Sequence, residues 1–146
     1  MAENDAYEIT WLIRRLFRAM AGTADQYLSV LGITAADRAV LEFLSAGEPL
    51  AVPEIAARYD VSRQHVQVTV NHLLDKGLVE ANPNPRHKRS PLISITTDGR
   101  QLFSRIRRRE HKLIDELFSD IPESNRRVTR RTLKTLYARI SEGESS

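Results

Sequence analysis

Apolar residues recur at helical spacing in six stretches of this chain, interrupted by short runs that alternate like strands. From Tyr7 to about Val30, Ile9, Leu12, Ile13, Leu16, Phe17 and Met20 form one stripe. Tyr27, Leu28 and Leu31 extend it beyond a weaker middle at 21–24, and Gly32 ends it, while residues 1–6 are expected to fray. A second helix starts behind Thr34 as its cap, turns Val40, Leu41 and Leu44 inward and stops at Gly47. A short third packs through Ile55 and Ala56 and ends near Tyr59. In the fourth, from Ser62 to Lys76, Val66, Val70, Leu73 and Leu74 stand at i, i+4, i+7 and i+8, with Gly77 as the C′ residue. Leu78-Val79 and the run Leu92–Thr96 then suggest two strands around an eleven-residue loop, ANPNPRHKRSP, and Leu50–Val52 a short third strand beside them. Thr96 caps a long fifth helix carrying Leu102, Phe103, Ile106, Leu113, Ile114, Leu117 and Phe118. Ile121-Pro122 breaks it, and a sixth runs from about Glu123 to Ser141, leaving EGESS as a polar tail. The pattern predicts a mainly α chain with a small β-hairpin wing: a winged helix-turn-helix over 34–99, flanked by long helices at 7–31 and 100–141, in one domain of 1–146.

The fourth helix carries the chemistry. With Val66 facing inward and 100° per residue, Gln64, Val68 and Asn71 lie on the opposite side, flanked by His65 and Gln67. A solvated face favours Lys and Glu; amides and a valine suit base edges and thymine methyls in a DNA major groove. Ser62 and Arg63 begin the same helix, Ser62 as an N-cap, and Asp60 sits in the turn before it, where a left-handed backbone suits an Asp. In the hairpin loop, Pro83, Pro85 and Pro91 keep the chain from continuing either strand, and Arg86, Lys88 and Arg89 put cations at a tip with no core to serve. Those residues are the candidate DNA contacts.

From Ser62 to Thr97 the chain resembles the MarR family of bacterial transcription regulators. The features are V-S-R-x-x-V at the start of the fourth helix, L-x-x-K-G-L-V at its end, and N-P-R-H-K-R followed by I-T-T-D-G. The resemblance implies a triangular homodimer joined by its terminal helices, often with a small-molecule pocket between the dimer region and the winged helix. It also implies a wing motif D-x-R, whose Asp steadies an Arg entering the minor groove; here Asn84 stands in the Asp position, so Arg86 lacks that acidic partner. Where the family tends to have Ser or Thr at the start of the third helix, this chain has Ala51, leaving Glu54 without a hydroxyl partner for a capping box, which Pro53 partly offsets.

Composition narrows the alternatives. The 146 residues are 41% hydrophobic and 28% charged, no apolar run approaches a membrane span, and no signal-peptide pattern appears, so a cytoplasmic protein is expected. Without cysteine there is no disulfide, thiolate site or thiol switch. The net charge of +3 is modest but uneven: residues 1–52 hold four Lys/Arg against seven Asp/Glu, and residues 101–139 eleven against five. His65 and His72 stand about 10 Å apart along one helix, too far for one zinc ion, and no cofactor or metal is expected. Arg105, Arg107, Arg108 and Arg109 suit either phosphate contact or a solvated face. Trp11 beside Arg14, Arg15 and Arg18 suits either dimer packing or a pocket for a small aromatic anion, placed at the hinge between the first helix and the winged helix. No enzyme motif is present. The expected function is sequence-specific binding of a pseudo-palindromic duplex by a homodimer, as a repressor relieved by a ligand; the alternative is a winged helix used as a protein-interaction adaptor.

Overall fold

The computed structural model describes residues 2–144, with side chains from 4 to 143. Its elements are α1 (Ala2–Val30), α2 (Ala35–Ser45), β1 (Leu50–Ala51), α3 (Val52–Tyr59), α4 (Arg63–Asp75), β2 (Val79–Asn82), β3 (Leu92–Ile95), α5 (Thr97–Phe118) and α6 (Glu123–Glu144). Two compact units divide within α5, between Arg107 and Arg108.

In the first unit one core joins the end of α1 to the winged helix. Leu28, Val40, Leu41, Leu44, Ile55, Val66, Val70, Leu73, Ile93 and Ile106 are almost wholly buried in it. The strands form an antiparallel sheet in the order β1-β3-β2, with Leu50 opposite Ile93 and Val79 opposite Ile95. The third strand expected at Leu50–Val52 is therefore present, ending one residue earlier. β2 runs further than Leu78-Val79 suggested: Ala81 pairs with Ile93 and Asn82 with Leu92, and pairing stops at Pro83, which has no N–H to give. The wing loop is thus 83–91.

Caps account for the helix starts. Thr34 Oγ1 accepts from Asp37 N–H at 3.1 Å, and the Asp37 carboxylate accepts from Thr34 N–H at 2.9 Å, a complete capping box. At α3 half of one forms: Glu54 accepts from Ala51 N–H at 3.2 Å, and Ala51 has no side-chain acceptor to answer it. Asp60 turns out of α3 with φ +57°, as its place in the turn suggested.

Both ends of the chain are more helical than expected. Helix α1 begins at Ala2 rather than Tyr7 and runs to Val30 as expected; Asp5 and Glu8 near its start suit the positive end of the helix dipole. Helix α6 continues to Glu144 past Ser141, no proline or capping turn intervening, and residues 145–146 of the expected tail lie outside the described residues.

The two flanking regions share one property. On α1, Tyr7, Ile9, Leu12, Leu16, Phe17 and Met20 are exposed, as are Ile114, Leu117 and Phe118 on α5 and Val128, Leu133, Tyr137 and Ile140 on α6. Among the described residues no helix is long and apolar enough to cross a membrane.

Candidate nucleic-acid interface

Helix α4 is held from three sides. Ser62 Oγ accepts from His65 N–H at 3.1 Å to cap its start. Val66, Val70 and Leu73 are fully buried, and Thr69, also buried, returns its hydroxyl to His65 O at 3.1 Å. At its far end His72 Nδ1 lies 2.8 Å from the buried Asp37 carboxylate, which fastens α4 to the first turn of α2. A Cβ on Gly32 would meet Lys76 Nζ at 2.7 Å, so the C-cap residue of the helix rests against the α1–α2 turn.

Ser62, Arg63, Gln64, His65, Gln67, Val68 and Asn71 are all exposed, on the face the helical period assigned to them. Val68 is 65% exposed although every other valine of α4 is buried, so packing does not account for it. Gln67 Nε2 donates to Asn71 Oδ1 at 2.9 Å, joining two of the amides into one hydrogen-bonded strip. His65 is turned partly aside, its ring 6.4 Å from that of Tyr59, which itself meets Phe43 edge-on at 5.8 Å.

The wing closes on this face. Arg63, Gln64 and Gln67 of α4, Val52 and Pro53 at the start of α3, and Arg89, Ser90 and Pro91 of the wing line one open cleft of about 310 Å³. Two guanidinium groups and two amides thus border one concave surface. Arg86 and Lys88, further out on the wing, are exposed, and no ion pair to Arg86 or Lys88 is present among the described residues. An exposed amide-rich helix beside a cationic hairpin is a geometry for duplex DNA, the helix for base edges and the hairpin for the backbone.

Comparison with known proteins agrees with that geometry. The model of the MarR family matches residues 31–90. Over 93% of its length the chain is 31% identical to an uncharacterised protein of Mycobacterium tuberculosis, and the match spans 90% of that protein. A crystal structure of a MarR family transcription regulator superposes with a TM-score of 0.92 at 21% identity, over 99% of this chain and 96% of that one. This chain belongs to the MarR family. It is a DNA-binding transcription regulator in fold and family. A mutant MarR from E. coli, crystallised with operator DNA, is 25% identical over 91% of this chain and 96% of its own, with a TM-score of 0.76. A putative transcriptional regulatory protein for the hcr operon of Thauera aromatica is 25% identical over 76% of this chain and 67% of its own length.

The remaining candidate set of this MarR-family chain lies elsewhere than expected. Trp11, Arg14, Arg15 and Arg18 sit on exposed turns of α1, about 14 to 24 Å along the helix from Tyr27, where α1 enters the core. Within the protomer they are therefore not at a hinge with the winged helix: α1 enters the core only at Ala24–Leu28, beyond all four. The Arg15 guanidinium lies 4.5 Å from the centroid of the Trp11 ring. A shallow depression of about 340 Å³ there is lined by Asn4, Tyr7, Glu8 and Trp11, without the arginines.

Two features had no signal in the sequence alone. Asp37 and His72 pair across 35 positions, and nothing periodic connects them. At the base of α5, Arg38 and Arg107 lie 5.7 and 5.8 Å from the Phe103 ring, and both approach the Glu42 carboxylate, at 2.8 and 3.6 Å. Arg107, still half-exposed, thus has a partner on α2 in addition to the solvent that the run of arginines had suggested.

Proposed function

We propose that this MarR-family chain binds a pseudo-palindromic duplex as a homodimer, reads bases with the outer face of α4, and represses transcription until a small anionic aromatic molecule releases it. The observation that carries the base-reading part is the exposure of Gln64, Gln67, Val68 and Asn71 on a helix whose other face is completely buried. A protein-interaction adaptor would favour apolar anchors there; this face has Val68 and otherwise amides. Gln64→Ala and Asn71→Ala should each lower affinity for the preferred duplex by about 1–3 kcal/mol and leave random duplex nearly unaffected. Because Gln67 donates to Asn71, the Gln67→Ala, Asn71→Ala double variant should lose less than the two single losses added. Fluorescence anisotropy on both duplexes measures this, and equal losses on both would remove base reading from α4.

The dimer is supported by the apolar side chains of α1 and α6 that the protomer leaves in water. Two-fold symmetry would set two copies of α4 roughly 34 Å apart, one DNA turn.

Release by a ligand is supported by Trp11 and its arginines: an indole beside guanidinium groups offers a stacking surface and a carboxylate partner. A ligand preferring the non-binding state by about 1.4 kcal/mol lowers DNA affinity tenfold. Titrating aromatic carboxylates while following Trp11 fluorescence and DNA release together is the check; quenching without release would separate the site from regulation.

A further inference from the structure

Asn84 is half-buried in a wing whose tip is exposed, and both ends of its amide are engaged. Its Oδ1 accepts from Arg86 N–H at 3.0 Å, and its Nδ2 donates to Ser90 O at 2.9 Å. The two partners dictate which end is which, since a backbone N–H only donates and a carbonyl only accepts. Around this clamp the backbone makes two further turns, His87 N–H to Asn84 O and Ser90 N–H to His87 O, each at 3.2 Å. One side chain therefore spans both limbs of the loop. A carboxylate in its place keeps the bond from Arg86 N–H but has nothing to donate to Ser90 O, and sets two acceptors against each other.

Charge is the second consequence. The loop 83–91, PNPRHKRSP, contains Arg86, Lys88 and Arg89 and no acidic residue. An acid at position 84 would cancel one of those charges at the point of the wing.

We propose that Asn84 is the positioning residue of the wing: it locks the tip in one conformation without neutralising it, so that the wing binds DNA phosphate irrespective of sequence. The inference rests on the duplex binding proposed above and adds which contact the wing makes and what shapes it. A preformed tip loses little conformational entropy on binding, and each phosphate it neutralises releases a counterion.

Two substitutions separate shape from charge, each titrated on the preferred and on a random duplex across a salt series. Asn84→Ala removes both hydrogen bonds and no charge: affinity should fall several-fold and equally on both duplexes, with the slope of log K against log salt unchanged. Asn84→Asp removes one bond and adds a negative charge: affinity should fall equally on both, with the slope shallower by about 0.9, one counterion. Tighter binding by Asn84→Asp, or a loss confined to the preferred duplex in either variant, would overturn the proposal. Amide hydrogen exchange on the free protein tests the clamp without DNA: Arg86 N–H should be protected in the wild type and exchange freely in Asn84→Ala. Equal exchange in both would overturn the clamp, whereas wild-type protein with no affinity for any duplex would overturn the proposed function instead.

Discussion

Gly99→Ala should cost about 3 kcal/mol, at the upper end of what one added methyl does in a packed site, and lower the melting temperature by roughly 10 °C. A Cβ there would lie 2.1 Å from Leu78 O, 3.1 Å from Leu78 C and 2.8 Å from Ile95 Cγ1. The carbonyl cannot retreat cheaply, because it already accepts from Thr96 N–H at 3.1 Å, while Leu78 N–H donates to Leu73 O at 3.0 Å. Thr96 closes the same joint, its hydroxyl donating to Gly77 O at 2.8 Å and accepting from Gly99 N–H at 3.1 Å. So the I-T-T-D-G segment docks the first turn of α5 on the end of α4, and the glycine is there for close approach. Gly22→Ala and Gly143→Ala, where an added Cβ meets nothing within 4 Å, serve as controls that should be neutral or stabilising. Thermal unfolding followed by circular dichroism checks it; a Gly99→Ala protein melting with the wild type would contradict the packing described.

Leu16→Asp should leave the protomer folded and abolish the proposed dimer. Leu16 is 61% exposed on α1, outside the core that joins Leu28 to Ile106, so the charge meets water in a monomer and an apolar partner in a dimer. Burying an unpaired carboxylate is costly enough to prevent association at micromolar concentration. Losing the second half-site removes an effective concentration in the millimolar range, so operator affinity should fall by about two orders of magnitude or more. Sedimentation equilibrium and circular dichroism read the two halves separately. A folded Leu16→Asp dimer would place the association surface elsewhere.

What the sequence disclosed and what it hid follow from the range of the interactions. The outward face of α4 was legible because Val66, Val70 and Leu73 repeat at the helical period, and burial of one face assigns the other. Ser62, Thr34 and Thr96 were legible as caps because capping acts over three residues. The Asp37–His72 pair was not, since it depends on how α2 crosses α4. Asn84 was legible as the missing acidic partner of Arg86, but not as a clamp, since its bond to Ser90 O depends on how the loop closes. The position of Trp11 and its arginines relative to the core was not legible, because it depended on where α1 leaves solvent, at Ala24–Leu28 rather than nearer its start.

Whether two copies of α4 read a two-fold duplex is decided by selecting bound sequences from a random duplex pool with the wild-type protein. Convergence on one inverted repeat is expected, its half-sites centred about 10 base pairs apart, with binding that weakens steeply as salt rises. A pool that stays random after repeated rounds, or converges on a single unrepeated site, would contradict it.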